Sequence, residues 1–125
     1  MAGDWLGKAV TDVQVCESLM ALGSAFGDVV AFHAQQAGEK ALKAWLVWHQ
    51  IEFPKTHDVE RLLELVATGD RALAESLADA AELTPYGVEY RYPGEYPPVS
   101  ETAAAAAAAL AHRVVDEVAR RLSPL

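Results

Sequence analysis

Residues 32–65 read FHAQQAGEKALKAWLVWHQIEFPKTHDVERLLEL, and this stretch decides how the rest of the chain is arranged. It contains three of the four histidines and two of the three tryptophans. Alanines and tryptophans recur through its first half at three- and four-residue steps, which is the period of an amphipathic helix. Pro54 disfavours helical geometry at Phe53, so a second helix has to start after it. We therefore predict two helices joined by a short connection.

One side of the first of these helices carries a polar line. At 100° per residue the line consists of Gln35, Glu39 and Lys43, with His33, Gln36 and Lys40 beside it. Glu39 and Lys43 have the order and spacing that favour an ion pair on a solvated helix face. The spacing alone therefore favours a solvated face, and it leaves open a binding site built on the same residues.

Helix boundaries are predicted from capping residues and from glycine and proline. The predicted N-caps are Asp4, Asp28, Thr56, Asp70 and Ser100. The corresponding helices are predicted to end near Leu22, His49, Gly69, Pro85 and the C-terminus.

Two further stretches have unusual compositions. Residues 84–99 place four tyrosines among prolines and glycines, which predicts an ordered loop over the helices instead of a regular element. Residues 103–109 are all alanine, the best helix former, and are followed by apolar residues at helical spacing. This last helix could face the core or a second copy of the chain.

Period-two alternation and long repeats are both absent from the sequence. The predicted fold is all-α, a single domain over residues 1–125. Its predicted architecture is an antiparallel, up-and-down four-helix bundle with an extra short helix and the Pro/Tyr-rich loop before the last helix.

Composition excludes several classes of protein. The net charge of -8 repels phosphate backbones, so we expect no DNA binding and disfavour RNA binding. Cys16 is the only cysteine, which excludes an internal disulfide and a thiolate metal cluster, and it is predicted to be a core thiol. The histidine spacing predicts no metal site. No apolar run is long enough for a membrane span, and a cytoplasmic location is expected.

The central stretch, followed by YRYPGEY at residues 90–96 and a closing helix, resembles the HEPN domain over nearly the whole chain. HEPN is a small all-helical domain named for nucleotide binding in higher eukaryotes and prokaryotes, and the resemblance is to its minimal prokaryotic type. The matching positions are Gln36, Glu39, Lys40 and Lys43, the turn Thr56, His57 and Asp58, and the triplet Arg91, Tyr92 and Pro93.

The resemblance implies a helical bundle that pairs as a homodimer. Some minimal members are encoded beside a small nucleotidyltransferase, an arrangement of the toxin–antitoxin type, and they resemble the helical domain of kanamycin nucleotidyltransferase. Other members are metal-independent endoribonucleases with an arginine followed four to six residues later by a histidine. No arginine of this chain has a histidine at that spacing, which argues against a ribonuclease.

A bound nucleotide would need cations for its phosphates and an aromatic or apolar wall for its base. The predicted ligand-binding residues are Gln36, Glu39, Lys40, Lys43, Lys55, His57, Arg91 and Tyr92. No catalytic residue is predicted, and no cofactor other than the nucleotide ligand. In a competing hypothesis Glu39, Lys43 and Arg91 form an ion network that fastens the loop, and His57 fixes its turn against a carboxylate or carbonyl.

Three functions follow from these alternatives. The favoured one is a non-catalytic nucleotide-binding and interaction module that partners a nucleotidyltransferase. The second is a divergent endoribonuclease toxin that uses Arg91 with a histidine distant in sequence, because RNA cleavage without metal needs a base and a cation. The third is a structural partner without a ligand.

Overall fold

The computed structural model describes residues 2–23, 26–87 and 98–122, and every regular element in these ranges is helical. The elements are α1 (Ala2–Met20), α2 (Gly27–Trp48), α3 (Val59–Gly69), α4 (Arg71–Ser76), a 3₁₀ helix (Ala78–Tyr86) and α5 (Glu101–Leu122). No strand occurs in the described ranges, so the predicted all-α class is confirmed. No helix in these ranges is both long enough and apolar enough to cross a bilayer.

Helices α1 and α2 form an antiparallel pair. Trp5 lies beside Lys43, and Asp12 lies beside Lys40. The Cys16 thiol donates to the Val30 carbonyl oxygen at 3.4 Å. Cys16 is 1% exposed, as predicted for a core thiol. Its burial, followed by the negative charges of Asp12 and Glu17, raises its pKa to about 11, so the thiol stays protonated and unreactive.

Helix α5 buries one side of its alanine run against the bundle. The buried residues of α5 are Ala104, Ala107, Ala108, Ala111, Val114, Val115, Val118 and Leu122. Methyl-sized side chains let two helix backbones approach closely, so α5 packs along α2. Ser100 caps α5 as predicted, because its Oγ accepts a hydrogen bond from the Ala103 amide at 3.0 Å.

A Schellman motif ends α2. The Ile51 amide donates to the Leu46 carbonyl at 2.9 Å, and the Gln50 amide donates to the Val47 carbonyl at 3.1 Å. Gln50 takes the left-handed conformation that this motif requires, with φ of 57°. The motif turns the chain back, so residues 49–58 run along α2 in the reverse direction.

Helix α3 starts beside the middle of α2 because of this return. The His57 carbonyl accepts a hydrogen bond from Gln35, and Gly69 at the other end of α3 lies against the Trp45 ring. The prediction that Thr56 caps α3 is wrong. Asp58 is the cap, and its carboxylate accepts from the Glu60 and Arg61 amides.

Two other predicted caps are wrong because the helices start earlier than predicted. Helix α1 already includes Asp4 in its first turn, where a carboxylate favours the positive end of the helix dipole. Helix α2 starts at Gly27 and includes Asp28. The Asp28 carboxylate instead accepts a hydrogen bond from the Val99 amide at 2.7 Å, tying the chain just before α5 to α2.

The prediction that a fourth helix runs until Pro85 stops it is wrong. Asp70 does cap α4, but α4 ends at Ser76 and a 3₁₀ helix continues from Ala78 through Pro85 to Tyr86. In an α-helix the proline ring would clash with the carbonyl four residues earlier, and this segment has the i to i+3 pattern instead. Leu83 of the 3₁₀ helix packs against Gly38, where a Cβ would lie 2.9 Å from the leucine Cδ1.

Arg91 and Tyr92 lie outside the described residues, as does most of the predicted Pro/Tyr-rich loop. The described residues on either side of it both contact α2. A Cβ on Gly87 would lie 3.0 Å from the Gln35 side chain, and Val99 is hydrogen-bonded to Asp28.

Candidate functional site

Glu39 on α2 is the centre of a buried polar cluster. It is 3% exposed, and three side chains donate to its carboxylate. Gln35 and His57 donate to Oε1 at 3.1 and 2.7 Å, and Lys43 donates to Oε2 at 3.0 Å. A buried carboxylate needs this many donors because it has left water. We call Gln35, Glu39, Lys43 and His57 the Glu39 cluster.

Gln35 connects this cluster to the chain that returns along α2. It is fully buried, and its Nε2 donates both to Glu39 and to the His57 carbonyl oxygen at 2.8 Å. Its Oε1 accepts from Gln36 at 2.7 Å. Both hydrogens of the Gln35 amide are therefore used, and the turn before α3 is held to α2 at a fixed position.

Lys43 is enclosed by aromatic rings. Its Nζ lies 5.3 Å from the Trp5 ring centroid and 5.8 Å from that of Phe53, and the two rings contact each other at 72°. A lysine ammonium group that lies over the face of an aromatic ring is attracted by the negative π electrons of that face. With only 8% of its side chain exposed, Lys43 acts as a counterion inside the protein.

The ionised form of Glu39 is favoured. Burial alone raises its pKa, but the hydrogen bonds from Gln35, His57 and Lys43, together with the Lys43 charge, lower it by more. The net pKa of Glu39 lies below its ordinary value, so the carboxylate is negative at neutral pH and accepts from every neighbour. The Nδ1 of His57 must then carry a hydrogen.

His57 is the exposed member of the cluster. Its side chain is 70% exposed, whereas that of its partner Glu39 is 4% exposed. Because Nδ1 is committed to Glu39, Nε2 is the ring nitrogen left for water or a ligand. A carboxylate that fixes one imidazole nitrogen also fixes the tautomer and the ring orientation, as in catalytic and metal-binding sites. The predicted contact between His57 and a carboxylate is therefore present.

A second group of the same type consists of Asp12, His33 and Lys40 and lies between α1 and α2. We call it the Asp12 group. Asp12 is 6% exposed, its Oδ1 accepts from His33 Nδ1 and its Oδ2 from Lys40 Nζ, both at 2.9 Å. Sequence reasoning missed Asp12 and left Gln35 and His33 off its list of ligand-binding residues. A signal for Asp12 was available, because it lies three residues after Ala9 and four before Cys16, on the apolar stripe of α1.

The structure thus places most predicted site residues on one side of α2. Gln36, Glu39, Lys43 and His57 are joined directly or through Gln35, whereas Lys40 belongs to the Asp12 group. Lys55 is exposed on the connection. The solvated-face interpretation of the polar line is wrong, because Gln35, Glu39 and Lys43 are all buried. The returning chain contacts them, and Trp5 of α1 also covers Lys43.

Two surface grooves in the described part of the chain lie away from the two carboxylate-centred groups. A groove of about 550 Å³ between α3 and α4 is lined mainly by alanines and glutamates, and another of about 610 Å³ lies on α5. Within the described ranges, no three His, Cys, Asp or Glu side chains are arranged to hold a metal ion. Buried carboxylates hold His57 and His33, whereas the His112–Asp116 pair in the α5 groove is exposed on both sides. The candidate site therefore comprises the two histidines that buried carboxylates hold.

Known proteins share this arrangement of helices. The chain is similar to TT1696 from Thermus thermophilus, with 29% identity and a TM-score of 0.78 over 97% of this chain and 98% of that one. It is also similar to ST0689, an archaeal HEPN homologue, with 25% identity and a TM-score of 0.76 over 98% of both chains. No curated protein matches the chain.

The family model of the HEPN domain matches residues 2–122, which include every described helix. The similarity of the central stretch, the helical architecture and the two solved structures agree with this match. The chain belongs to the HEPN domain family.

Proposed function

We propose that this HEPN domain is a non-catalytic binding and interaction module that holds a nucleotide and partners a separate nucleotidyltransferase. The observation that carries the proposal is the exposed imidazole of His57 on the buried, ionised Glu39. Such an imidazole has a fixed orientation, and its free nitrogen is accessible to a ligand. This is how a binding site prepares one polar contact before the ligand arrives.

The ligand contacts divide between exposed and buried residues. His57 and Lys55 lie on the same short connection and are exposed. Lys55 would donate to phosphate oxygens, and the Nε2 of His57 would accept from a hydroxyl or amino group of the nucleotide. Gln36 is half-buried and would supply a further amide contact. Glu39 and Lys43 would position His57 without contacting the ligand, because their side chains are 4% and 8% exposed.

Arg91 and Tyr92 complete the proposal through the family resemblance alone. A guanidinium can pair with phosphate in a bidentate manner, and a phenol ring can cover a base. The homodimer and the nucleotidyltransferase partner are proposed on the same basis. Light scattering on the purified protein and co-purification with the product of a neighbouring gene would test them.

Nucleotide titration tests the proposed binding site. We expect ATP and AMP to shift the backbone amide signals of His57, Lys55 and Gln36 in a saturable manner. His57→Ala should weaken binding about 5-fold, which corresponds to about 1 kcal/mol for one hydrogen bond between neutral groups. The matched control is His112→Ala, which removes an exposed histidine that also faces a carboxylate, Asp116 at 3.3 Å on α5. Absence of shifts, or equal losses in both variants, would contradict the proposal.

The imidazole of His57 held by Glu39 also supports a second candidate function, a metal-independent endoribonuclease. An imidazole held by a carboxylate can take the proton of an RNA 2′-hydroxyl as a general base. Cleavage of RNA in the presence of a chelator, lost in His57→Ala and Arg91→Ala but retained in His112→Ala, would favour this candidate. RNA left intact by the wild-type protein would exclude it.

A further inference from the structure

We infer that His33 and Lys40, held by Asp12, form a phosphate-binding subsite for a phosphate monoester such as the terminal phosphate of a nucleotide. The inference rests on the proposed function for its ligand class. It adds a location, between α1 and α2, that is distinct from the Glu39 cluster.

The first observation that supports a phosphate subsite is the geometry of the Asp12 group. Asp12 is buried, and each of its carboxylate oxygens accepts one hydrogen bond at 2.9 Å, from His33 or from Lys40. Both side chains are therefore held in fixed positions by one buried anion. The Phe32 ring packs edge-on against the His33 imidazole at 5.5 Å between centroids, which further restricts the plane of the imidazole.

The second observation concerns the charges and exposure of the Asp12 group. Asp12 supplies one negative charge, Lys40 supplies one positive charge, and His33 shares the Asp12 carboxylate with Lys40, on a protein of net charge -8. His33 and Lys40 keep 29% and 21% of their side chains exposed. The Lys40 hydrogens that Asp12 does not use can donate to phosphate oxygens, and charge-assisted hydrogen bonds to phosphate are among the stronger polar contacts. Because His33 Nδ1 donates to Asp12, its Nε2 can accept the hydrogen of a P–OH group.

The third observation is the position of Gln36 beside the Asp12 group. It lies three residues after His33 and four before Lys40, so all three side chains project from one side of α2. Its amide is fixed by the hydrogen bond to Gln35 in the Glu39 cluster. Gln36 thus lies between the Asp12 group and the Glu39 cluster, and one nucleotide could use both.

A purely structural role makes a different prediction. If His33 and Lys40 only neutralise Asp12, removing either should change stability while phosphate binding stays the same. The experiment therefore needs a readout of phosphate at the His33 ring in addition to a stability measurement.

Ring signals of the four histidines can be followed by NMR while inorganic phosphate is added at constant pH and ionic strength. We expect saturable shifts for His33 and none for His112. We also expect AMP to bind about 10-fold more tightly than adenosine, in line with a charge-assisted hydrogen bond. His33→Gln and Lys40→Gln should each reduce AMP affinity towards that of adenosine without changing adenosine binding, provided the unfolding curves show folded protein.

The outcomes separate this inference from the proposed function. Phosphate shifts at His33 no larger than those at His112 would overturn the subsite, as would equal losses of AMP and adenosine affinity in His33→Gln. If the wild-type protein binds neither adenosine nor AMP, the proposed nucleotide function fails. The response of the His33 ring to inorganic phosphate then still decides whether the subsite exists.

Discussion

Replacing Glu39 with alanine is expected to lower the free energy of unfolding by about 3–5 kcal/mol, the usual result of removing one partner from a buried ion pair. Lys43 would remain in the core without its counterion, since only 8% of its side chain is exposed. Gln35 would lose an acceptor, and His57 would lose the group that holds its ring. Urea denaturation at neutral pH, followed by circular dichroism, measures the change.

A double variant provides the matched control. Glu39→Met combined with Lys43→Met removes both charges and keeps similar volumes, so it should be clearly more stable than Glu39→Ala. The methionines would pack beneath Trp5 and Phe53, which now cover the Lys43 ammonium. A loss below about 1 kcal/mol in Glu39→Ala, the range of exposed pairs, would show that the cluster is solvated.

Gly27→Ala is expected to destabilise the protein by about 1–3 kcal/mol, the usual cost of overpacking. A Cβ at this position would collide with the backbone carbonyl oxygen of Val99. Backbone cannot move aside as a flexible side chain can, so the segment before α5 would have to shift. That shift would also disturb the hydrogen bond from the Val99 amide to Asp28. Thermal and urea denaturation measure the loss.

Gly7→Ala is expected to raise the free energy of unfolding, whereas Gly27→Ala is expected to lower it. Gly7 lies inside α1, and a Cβ there would have no atom within 4 Å. Alanine in a helix interior is more favourable than glycine by up to about 1 kcal/mol, so this variant should be more stable than the wild type. Equal effects of the two substitutions would contradict the described contact between α2 and Val99.

Local sequence signals predicted the helices well because they depend on neighbouring residues. The periodic apolar positions of α1 and the capped alanine run of α5 each favour a helix through residues near in sequence. Caps were harder to predict because several residues near one helix start can accept the same hydrogen bonds. Asp58, two residues after Thr56, has a carboxylate that reaches two free amides of α3.

The site was only partly predictable because its contacts cross the chain. The 100° rule placed Gln35, Glu39 and Lys43 on one line, but it could not show that the line is buried. Burial depends on Trp5 of α1 and on the return of residues 49–58. The return follows from the left-handed conformation of Gln50, and glutamine gives no signal for it. The His33–Asp12 pair likewise joins residues 21 positions apart, beyond the reach of any helical spacing.

The tautomer of His57 tests the central claim most directly, and long-range ¹H–¹⁵N NMR of the histidine rings shows which ring nitrogen carries the hydrogen. His112 serves as an internal reference, because its Nε2 faces Asp116 and favours a hydrogen on that nitrogen. If the buried Glu39 carboxylate holds His57, the His57 ring carries its hydrogen on Nδ1 and leaves Nε2 free. A His57 ring with its hydrogen on Nε2, like His112, would contradict the account.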